Sequence, residues 1–219
     1  MTIQELCSAL SGGRLDARFR ELYGSGEREY LRQRARYLSA AEHFSRLCPE
    51  CDDVRVFSAP GRTEIGGNHT DHQHGCVLAA AVDLDVIALA DFTDDGYIRV
   101  YSEGHEPCEI DLSDLSPRKE ERGTSNALVR GIAAKFAEMG AEIVGFTAYT
   151  TSDVLSGSGL SSSAAFENLI GTMIDLSCNG GRAGAVEIAK IGQLPRPNTS
   201  ARRAGSWTRP SAPWEASWR

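Results

Sequence analysis

The sequence lacks any long hydrophobic run and any segment typical of export. No stretch of its 219 residues is apolar over the length of a membrane span. The opening residues, MTIQELCSALSGGRLD, have neither the basic start nor the apolar centre of a secretory signal. The formal net charge is −7, so the basic surplus of a nucleic-acid binder is missing too. These absences predict a cytoplasmic protein with no membrane or nucleic-acid partner.

Cysteine is scarce, and its spacing is not that of a disulfide framework or a complete zinc site. Six cysteines are spread thinly over the chain, which predicts reduced thiols. Cys48 and Cys51 have the spacing of half a zinc site or a redox pair. However, no second CxxC follows, and the pair comes after a predicted helix rather than a strand. A turn at a helix end is therefore the favoured interpretation.

What the chain does contain is an ordinary mixture of helical and strand patterns, which predicts an α+β fold. Helix is expected over 2–48, with an apolar stripe on one face, Arg and Glu on the other, and a break at Gly24 and Gly26 that sets off a shorter helix. The later elements follow from periodicity, turn residues and β-branched content. Strands are expected at 54–59, 76–92, 97–102, 107–112 and 143–151, and helices at 125–139, 160–177 and 183–193.

Two glycine-rich segments interrupt these elements. The first, APGRTEIGGNHTDHQHG over 59–75, buries little apolar surface, so it is either a disordered loop or a site. Its polar residues include Arg62, Glu64, His69, Asp71, His72 and His74.

The second segment, SGSGLSSSAA over 156–165, lies between a predicted strand and a predicted helix. Glycines let backbone N–H groups approach a ligand closely, and the first turn of a helix favours an anion. The serine hydroxyls can meet phosphate or a metal. No Lys follows the last glycine, so this is not a Walker A loop. A phosphate site and a flexible Gly/Ser turn both remain open on these residues alone.

A family resemblance adds to this reasoning. VLSGSGLSSSAAFE over 154–167 resembles the nucleotide loop of the GHMP small-molecule kinases, usually Pro-x-Gly-x-Gly-Leu-Ser-Ser-Ser-Ala. The first segment resembles the galactokinase sugar signature, usually Gly-Arg-Val-Asn-Leu-Ile-Gly-Glu-His-Thr-Asp-Tyr. The resemblance implies a GHMP-kinase N-terminal domain (ribosomal S5 domain 2-like) over 54–193, preceded by a helical segment over 1–53.

The match has departures that bear on specificity. In the first motif Glu64 replaces Asn, Gly66 replaces Ile, Asn68 replaces Glu and His72 replaces Tyr. In the second, Leu155 stands where the family has Pro. An amide at position 68 can still accept a hydrogen bond from a sugar hydroxyl but brings no charge. The identity of the sugar is therefore less firmly implied than the kinase class.

The resemblance implies transfer of a phosphoryl group from ATP, with Mg²⁺, to the anomeric hydroxyl of α-D-galactose. Arg62 would stabilise the transferring group and the attacking oxygen, for which a permanently charged guanidinium is suited. The alternative for Arg62 is a structural ion pair, and for Asp71 a solvated loop carboxylate. The implied sugar-binding residues are Asn68, His69, Thr70 and Asp71.

The implied nucleotide site uses the second segment together with Glu103, which lies much earlier in the chain. Ser163 matches the family serine that contacts Mg²⁺, and a hard oxygen ligand suits that ion. Glu103 lies at a family position near ATP, which is a weaker correspondence. The implied ATP-binding residues are Glu103, Gly157, Ser158, Gly159, Leu160, Ser161, Ser162 and Ser163.

The last 26 residues do not fit the family. All three tryptophans and four of the eight prolines lie in 194–219, and no helical or strand period continues there. In galactokinases this region supplies a Mg²⁺-binding glutamate and the catalytic aspartate of a Gly-x-x-Asp-Gln motif. By spacing these fall near Arg196 and Thr208, and the motif occurs nowhere in the chain. An out-of-frame tail, a missing C-terminal GHMP domain and an inactive chain are expected. A genuine basic tail is the alternative.

Two other functions remain open. Asn68 and His72 leave room for a kinase acting on another sugar, such as an N-acetylhexosamine. A non-enzymatic module is the second, either a sugar-responsive regulator or a zinc binder. The zinc ligands would be His69, Asp71, His72 and His74, although flanking glycines hold ligands poorly. Under the kinase hypothesis the partner is a small sugar, and the protein is expected to be a monomer.

Overall fold

A computed structural model describes residues 1–67, 78–155, 157 and 159–192. The helices in this part are α1 (Ile3–Ser11), α2 (Asp16–Tyr23), α3 (Glu27–Leu47), α4 (Ser125–Glu138), α5 (Ser162–Cys178) and α6 (Gly184–Gly192). The strands are β1 (Arg55–Gly66), β2 (Leu78–Thr93), β3 (Tyr97–Ser102), β4 (Cys108–Asp111) and β5 (Gly145–Ser152). A 3-10 turn covers Lys119–Glu121. The predicted α+β class is confirmed.

The strands form one five-stranded mixed sheet in the order β1-β2-β5-β3-β4. All neighbours are antiparallel except β3 and β5, which run parallel. β2 is much longer than β5, and Val86 opposite Ser152 is at the end of their pairing. Beyond that point β2 pairs only with β1 among the described strands. Residues 60–66 and 78–85 thus make a two-stranded projection, here called the β1–β2 arm.

Helices cover both faces of the sheet, so there are two hydrophobic cores. Helices α4 to α6 pack on one face, where Phe136 and Met173 are fully buried with Ala88 of β2. Helices α1 to α3 pack on the other, where Phe44 meets Ile87. Successive residues of β2 therefore enter opposite cores. This explains why the strand reads as a continuous apolar run rather than as an alternation.

The N-terminal helices agree with the sequence only in part. The predicted stripe of α3 is buried as expected, with Tyr37 and Phe44 at 4% and 0% exposure. Gln33 lies on this same face, four residues before Tyr37, and is fully buried although it is polar. The prediction of one short helix before Gly24 is wrong, because α1 and α2 are separate. Gly13 adopts φ 75 between them, a conformation that glycine reaches without strain.

Several further boundaries differ from the predictions, three of them for a reason that the structure shows. β1 was expected to end at residue 59 and continues to Gly66, so the first half of the predicted loop is strand paired with β2. In the predicted buried strand over 76–92, Leu78 is 62% exposed, because no third strand among the described residues pairs with the arm. α5 begins at Ser162 rather than at residue 160, because Ser161 is left-handed.

The Cys48–Cys51 pair is a turn after α3, as predicted. The Cys51 N–H donates to the Cys48 carbonyl at 3.4 Å, and both thiols are free. Within the described ranges there is no group of three or more residues able to hold a metal ion. No described helix is long and apolar enough to cross a membrane. The predicted aberrant tail over 194–219 lies outside the described residues.

Candidate nucleotide and sugar site

The glycine-rich segment connects the end of β5 to the start of α5 through left-handed backbone. Gly157 and Gly159 have φ 78 and 81, and Ser161 has φ 60 and ψ 53. The left-handed conformation is open to glycine but costs a serine about 1–3 kcal/mol, and such strain concentrates at ligand sites. The Ser161 side chain makes no capping hydrogen bond to the first turn of α5. A helix that begins without a cap is suited to an anion at its N-terminus.

The two sequence motifs meet through their backbones. The Arg62 N–H of β1 donates to the Leu160 carbonyl of the loop at 3.0 Å. A Cβ added to the neighbouring Gly61 would lie 3.1 Å from Val154 Cγ1 and 3.2 Å from that same carbonyl oxygen. The strand therefore lies directly against the loop, and glycine leaves room for this approach. The structure brings Arg62 beside the segment predicted to bind phosphate.

Glu103 lies at the same end of the sheet. It follows β3, which runs parallel to β5, and its N–H donates to the Thr150 carbonyl at 2.9 Å. The Thr151 hydroxyl donates to Glu103 Oε2 at 2.5 Å. Because β5 leads from these threonines into the loop, Glu103 stands at the loop's base rather than in a distant part of the surface.

Ser163 is in the first turn of α5, and its hydroxyl donates to Glu167 Oε1 at 3.3 Å. Glu167 is 8% exposed, one helical turn further on. A hydroxyl and a carboxylate suit the hard-oxygen preference of Mg²⁺, which typically takes one or two protein ligands and otherwise binds waters and substrate phosphates. The residues present therefore fit such an ion. Glu167 was not predicted, although its spacing of four residues from Ser163 placed it on the same helix face.

Several predicted residues lie outside the described part of the chain. They are Asn68, His69, Thr70, Asp71, His72, His74 and Ser158. The described part of the first motif ends at the exposed Gly67, beyond Glu64. Glu64 Oε1 is buried and accepts no hydrogen bond from any residue that the structure describes. A buried carboxylate oxygen is stabilised by such a donor.

A buried polar network beneath the loop was not predicted. Its centre is Asp85 of β2, which is 3% exposed and accepts hydrogen bonds from Arg36, Tyr23 and Ser58. The Tyr23 hydroxyl also lies 2.7 Å from the Tyr37 hydroxyl. Burial raises the pKa of both tyrosines, so they remain neutral donors at working pH. Asp153, the first residue after β5, donates its N–H to the Asp85 carbonyl at 2.9 Å, so this network also holds the start of the loop.

The fold and the loop define a class: the chain has the fold of a GHMP-kinase N-terminal domain. It superposes on the Methanococcus jannaschii mevalonate kinase with a TM-score of 0.51 and 17% identity, covering 64% of this chain and 44% of that one. A D-glycero-D-manno-heptose 1-phosphate kinase from Bacteriodes thetaiotaomicron gives a TM-score of 0.55 and 20% identity, covering 71% and 52%. At these identities the likeness shows the fold alone.

Closer similarity is to one member of that class. Residues 41–92 match the galactokinase galactose-binding signature. The galactokinase of Streptomyces coelicolor is 33% identical over 157 residues, which cover 71% of this chain and 33% of that protein. The Lactococcus lactis galactokinase structure, complexed with galactose, gives a TM-score of 0.65 at 30% identity, covering 72% and 41%. Over this N-terminal region the chain is galactokinase-like. It spans about a third of the length of the curated relatives it matches.

Proposed function

We propose that residues 54–193 are the ATP- and sugar-binding part of a galactokinase-type enzyme, which converts ATP and α-D-galactose to galactose 1-phosphate and ADP. The observation that carries the proposal is the hydrogen bond from the Arg62 N–H to the Leu160 carbonyl, at 3.0 Å. It joins the sugar signature to the nucleotide loop, so that ATP, the phosphoryl donor, and the sugar, the phosphoryl acceptor, would meet along β1. The resemblance alone supports a cytoplasmic, monomeric protein.

The roles follow from the chemistry of phosphoryl transfer, which depends mainly on positioning and charge stabilisation. Arg62 would stabilise the transferring group. The left-handed backbone at Gly157 and Gly159 would direct N–H groups to the phosphates. Ser163 would contribute an oxygen to Mg²⁺, which when bound neutralises charge on the phosphates. Asn68, His69, Thr70 and Asp71 would bind the sugar hydroxyls.

The proposal includes the absence of turnover in a polypeptide of these 219 residues. A base must accept the proton of the attacking sugar hydroxyl, and no Gly-x-x-Asp-Gln occurs in the sequence. General-base catalysis commonly contributes about 10²–10⁴ in rate. We therefore expect ligand binding by this polypeptide without measurable phosphorylation.

The test combines a binding and a turnover measurement on the purified 219-residue chain. Calorimetry with galactose, glucose and N-acetylgalactosamine reports the sugar class, and ADP release in a coupled assay reports turnover. The expected result is saturable galactose binding with no ADP release. An Arg62→Ala variant is expected to retain sugar binding, because Arg62 is assigned to the phosphoryl group. Galactose-dependent ADP release would overturn the inactivity, and preference for N-acetylgalactosamine would replace the substrate.

The tail has its own test. Sequencing the genomic DNA across codons 185–219 and translating all three forward frames shows whether another frame continues α6. We expect that frame to encode an acidic residue and then Gly-x-x-Asp-Gln. If only the present frame is open, the tail is genuine, and the proposal is reduced to ligand binding without catalysis.

A further inference from the structure

The N-terminal helical segment, to which the sequence assigned no role, contacts the base of the nucleotide loop through one arginine. Arg36 Nη1 donates to Asp85 Oδ1 at 2.6 Å, and Nη2 donates to the Asp85 carbonyl at 2.9 Å and to the Thr151 carbonyl at 3.1 Å. Nη1 also lies 3.2 Å from Asp153 Oδ2. A single guanidinium thus joins α3 to β2, to the end of β5 and to the first residue after it.

Asp153 is fixed from three sides at the point where β5 leads into the glycine-rich segment. Its N–H donates to the Asp85 carbonyl at 2.9 Å. Its Oδ2 accepts from Gln33 Nε2 at 3.0 Å and lies 2.8 Å from Arg32 Nη1. The next residue, Val154, packs against Gly61 of β1. The position of Asp153 therefore sets where the loop begins relative to the β1–β2 arm.

The network is shielded from water at its centre and open toward the loop. The side chains of Arg36 and Asp85 are 9% and 4% exposed, and that of Asp153 is 18% exposed. Burial opposes the charge on Arg36, but the adjacent Asp85 carboxylate raises the pKa of that guanidinium above its ordinary value. Arg36 is thus charged, and the bonds of the network depend on one arrangement of α3 against the sheet.

A buried ion pair is in itself weak evidence of stability, since desolvation can cancel the attraction. What sets this network apart is its location. The protein has a second buried pair, Arg130 with Glu121, whose side chains are 3% and 11% exposed. That pair joins α4 to the 3-10 turn and touches neither the loop nor the arm in the described contacts. It therefore serves as a matched control for a purely structural role.

We propose that Arg36 is a positioning residue for the nucleotide site and that the N-terminal helices hold the loop in its binding conformation. The proposal rests on the nucleotide role assigned to the loop above. Without Arg36, Asp85 and Asp153 lose their shared cation, and Asp153, although it keeps its contacts with Arg32 and Gln33, is held less firmly against β2. If the fraction of chains with a competent loop falls to a tenth, the apparent Kd for nucleotide rises about tenfold.

The experiment compares Arg36→Met with Arg130→Met and Arg36→Lys in the full 219-residue chain, below the melting temperature of every variant. The first readout is hydrogen exchange at the Asp153 and Val154 amides without ligand. The second is the Kd of a non-hydrolysable ATP analogue with Mg²⁺. Arg36→Met is expected to speed exchange at both amides and to raise the Kd about tenfold. Arg130→Met is expected to change neither, even at an equal loss of Tm. Arg36→Lys is expected to keep part of the exchange protection and part of the nucleotide affinity.

Equal exchange and equal Kd in the two methionine variants would overturn the proposal and leave Arg36 with a structural role only. If the unaltered chain binds no nucleotide, the assigned function of the loop fails. Exchange at Asp153 still decides the positioning claim in that case. If Arg36→Met does not fold, Asp153→Asn replaces it. That change removes the partner charge at a partly exposed position, and the same two readouts with the same control decide the outcome.

Discussion

Replacing Gly61 by alanine tests the close approach of β1 to the glycine-rich segment. The new methyl would lie 3.1 Å and 3.2 Å from the two Val154 methyls and 3.2 Å from the Leu160 carbonyl oxygen. Overpacking of this kind costs about 1–3 kcal/mol. Against it stands a gain of about 0.4–1 kcal/mol, because alanine restricts the unfolded chain and Gly61 does not need a left-handed φ. The expected net result is a destabilisation of about 1–2 kcal/mol.

Thermal unfolding measures this change, and α4 contains a control for the same chemical substitution. In a domain of this size about 1 kcal/mol corresponds to about 2–4 °C in Tm. Gly131 is inside α4, and a Cβ there would meet no atom of the described residues within 4 Å beyond the helix's own backbone. Gly131→Ala is therefore expected to raise Tm by about 2–4 °C through helix propensity. A rise in Tm for Gly61→Ala equal to that for Gly131→Ala would refute the close approach.

The remaining predictions concern stability, pH and thiol chemistry. Gly171→Ala should destabilise by about 1–3 kcal/mol, since its Cβ would lie 2.7 Å from Ile188 Cγ2, and adding Ile188→Ala should relieve part of that cost in a double-mutant cycle of urea unfolding. The hydrogen bond from Arg130 lowers the pKa of Glu121, so the stability advantage of the native chain over Glu121→Gln should be present above about pH 4.5 and disappear as pH falls through the lowered value. Denaturant unfolding from pH 3 to pH 7 measures this, and a constant advantage would contradict it. Burial raises the pKa of Cys108 to about 12, so this thiol should resist Ellman's reagent at pH 8 until the protein unfolds.

Elements with local signals were predicted from the sequence. Asp95-Gly96 lies in the turn between β2 and β3, with Gly96 at φ 79, as the dipeptide indicates. The same signal predicts that Tyr97–Ser102 returns as the partner strand of a hairpin with β2, and this is wrong, because β5 lies between β2 and β3 in the sheet. The apolar spacing of α3 and α5 likewise identified helices, since periodicity reports which face is buried. The start of α5 was predicted two residues early, because the left-handed Ser161 is set by its tertiary surroundings.

The base of the candidate site could not be predicted, because its contacts are non-local. Arg36 meets Asp85, 49 residues away, and Thr151, 115 residues away. From the sequence alone Arg36 belonged to the charged face of α3. The continuation of β1 into the arm was missed for a related reason, since glycines typical of a loop are paired there with a long partner strand. Arg62, Glu103 and Ser163 were predicted from the family resemblance, whereas the residues that support them belong to no motif.

We propose that the segment from 154 to 163 binds nucleotide phosphates with Mg²⁺. The most direct measurement is calorimetric titration of the 219-residue chain with a non-hydrolysable ATP analogue, with and without Mg²⁺, alongside Ser163→Ala. We predict one saturable site that binds more tightly with Mg²⁺, and a Ser163→Ala variant in which most of that Mg²⁺ dependence is lost. No binding, or binding that neither Mg²⁺ nor the substitution alters, would contradict the account.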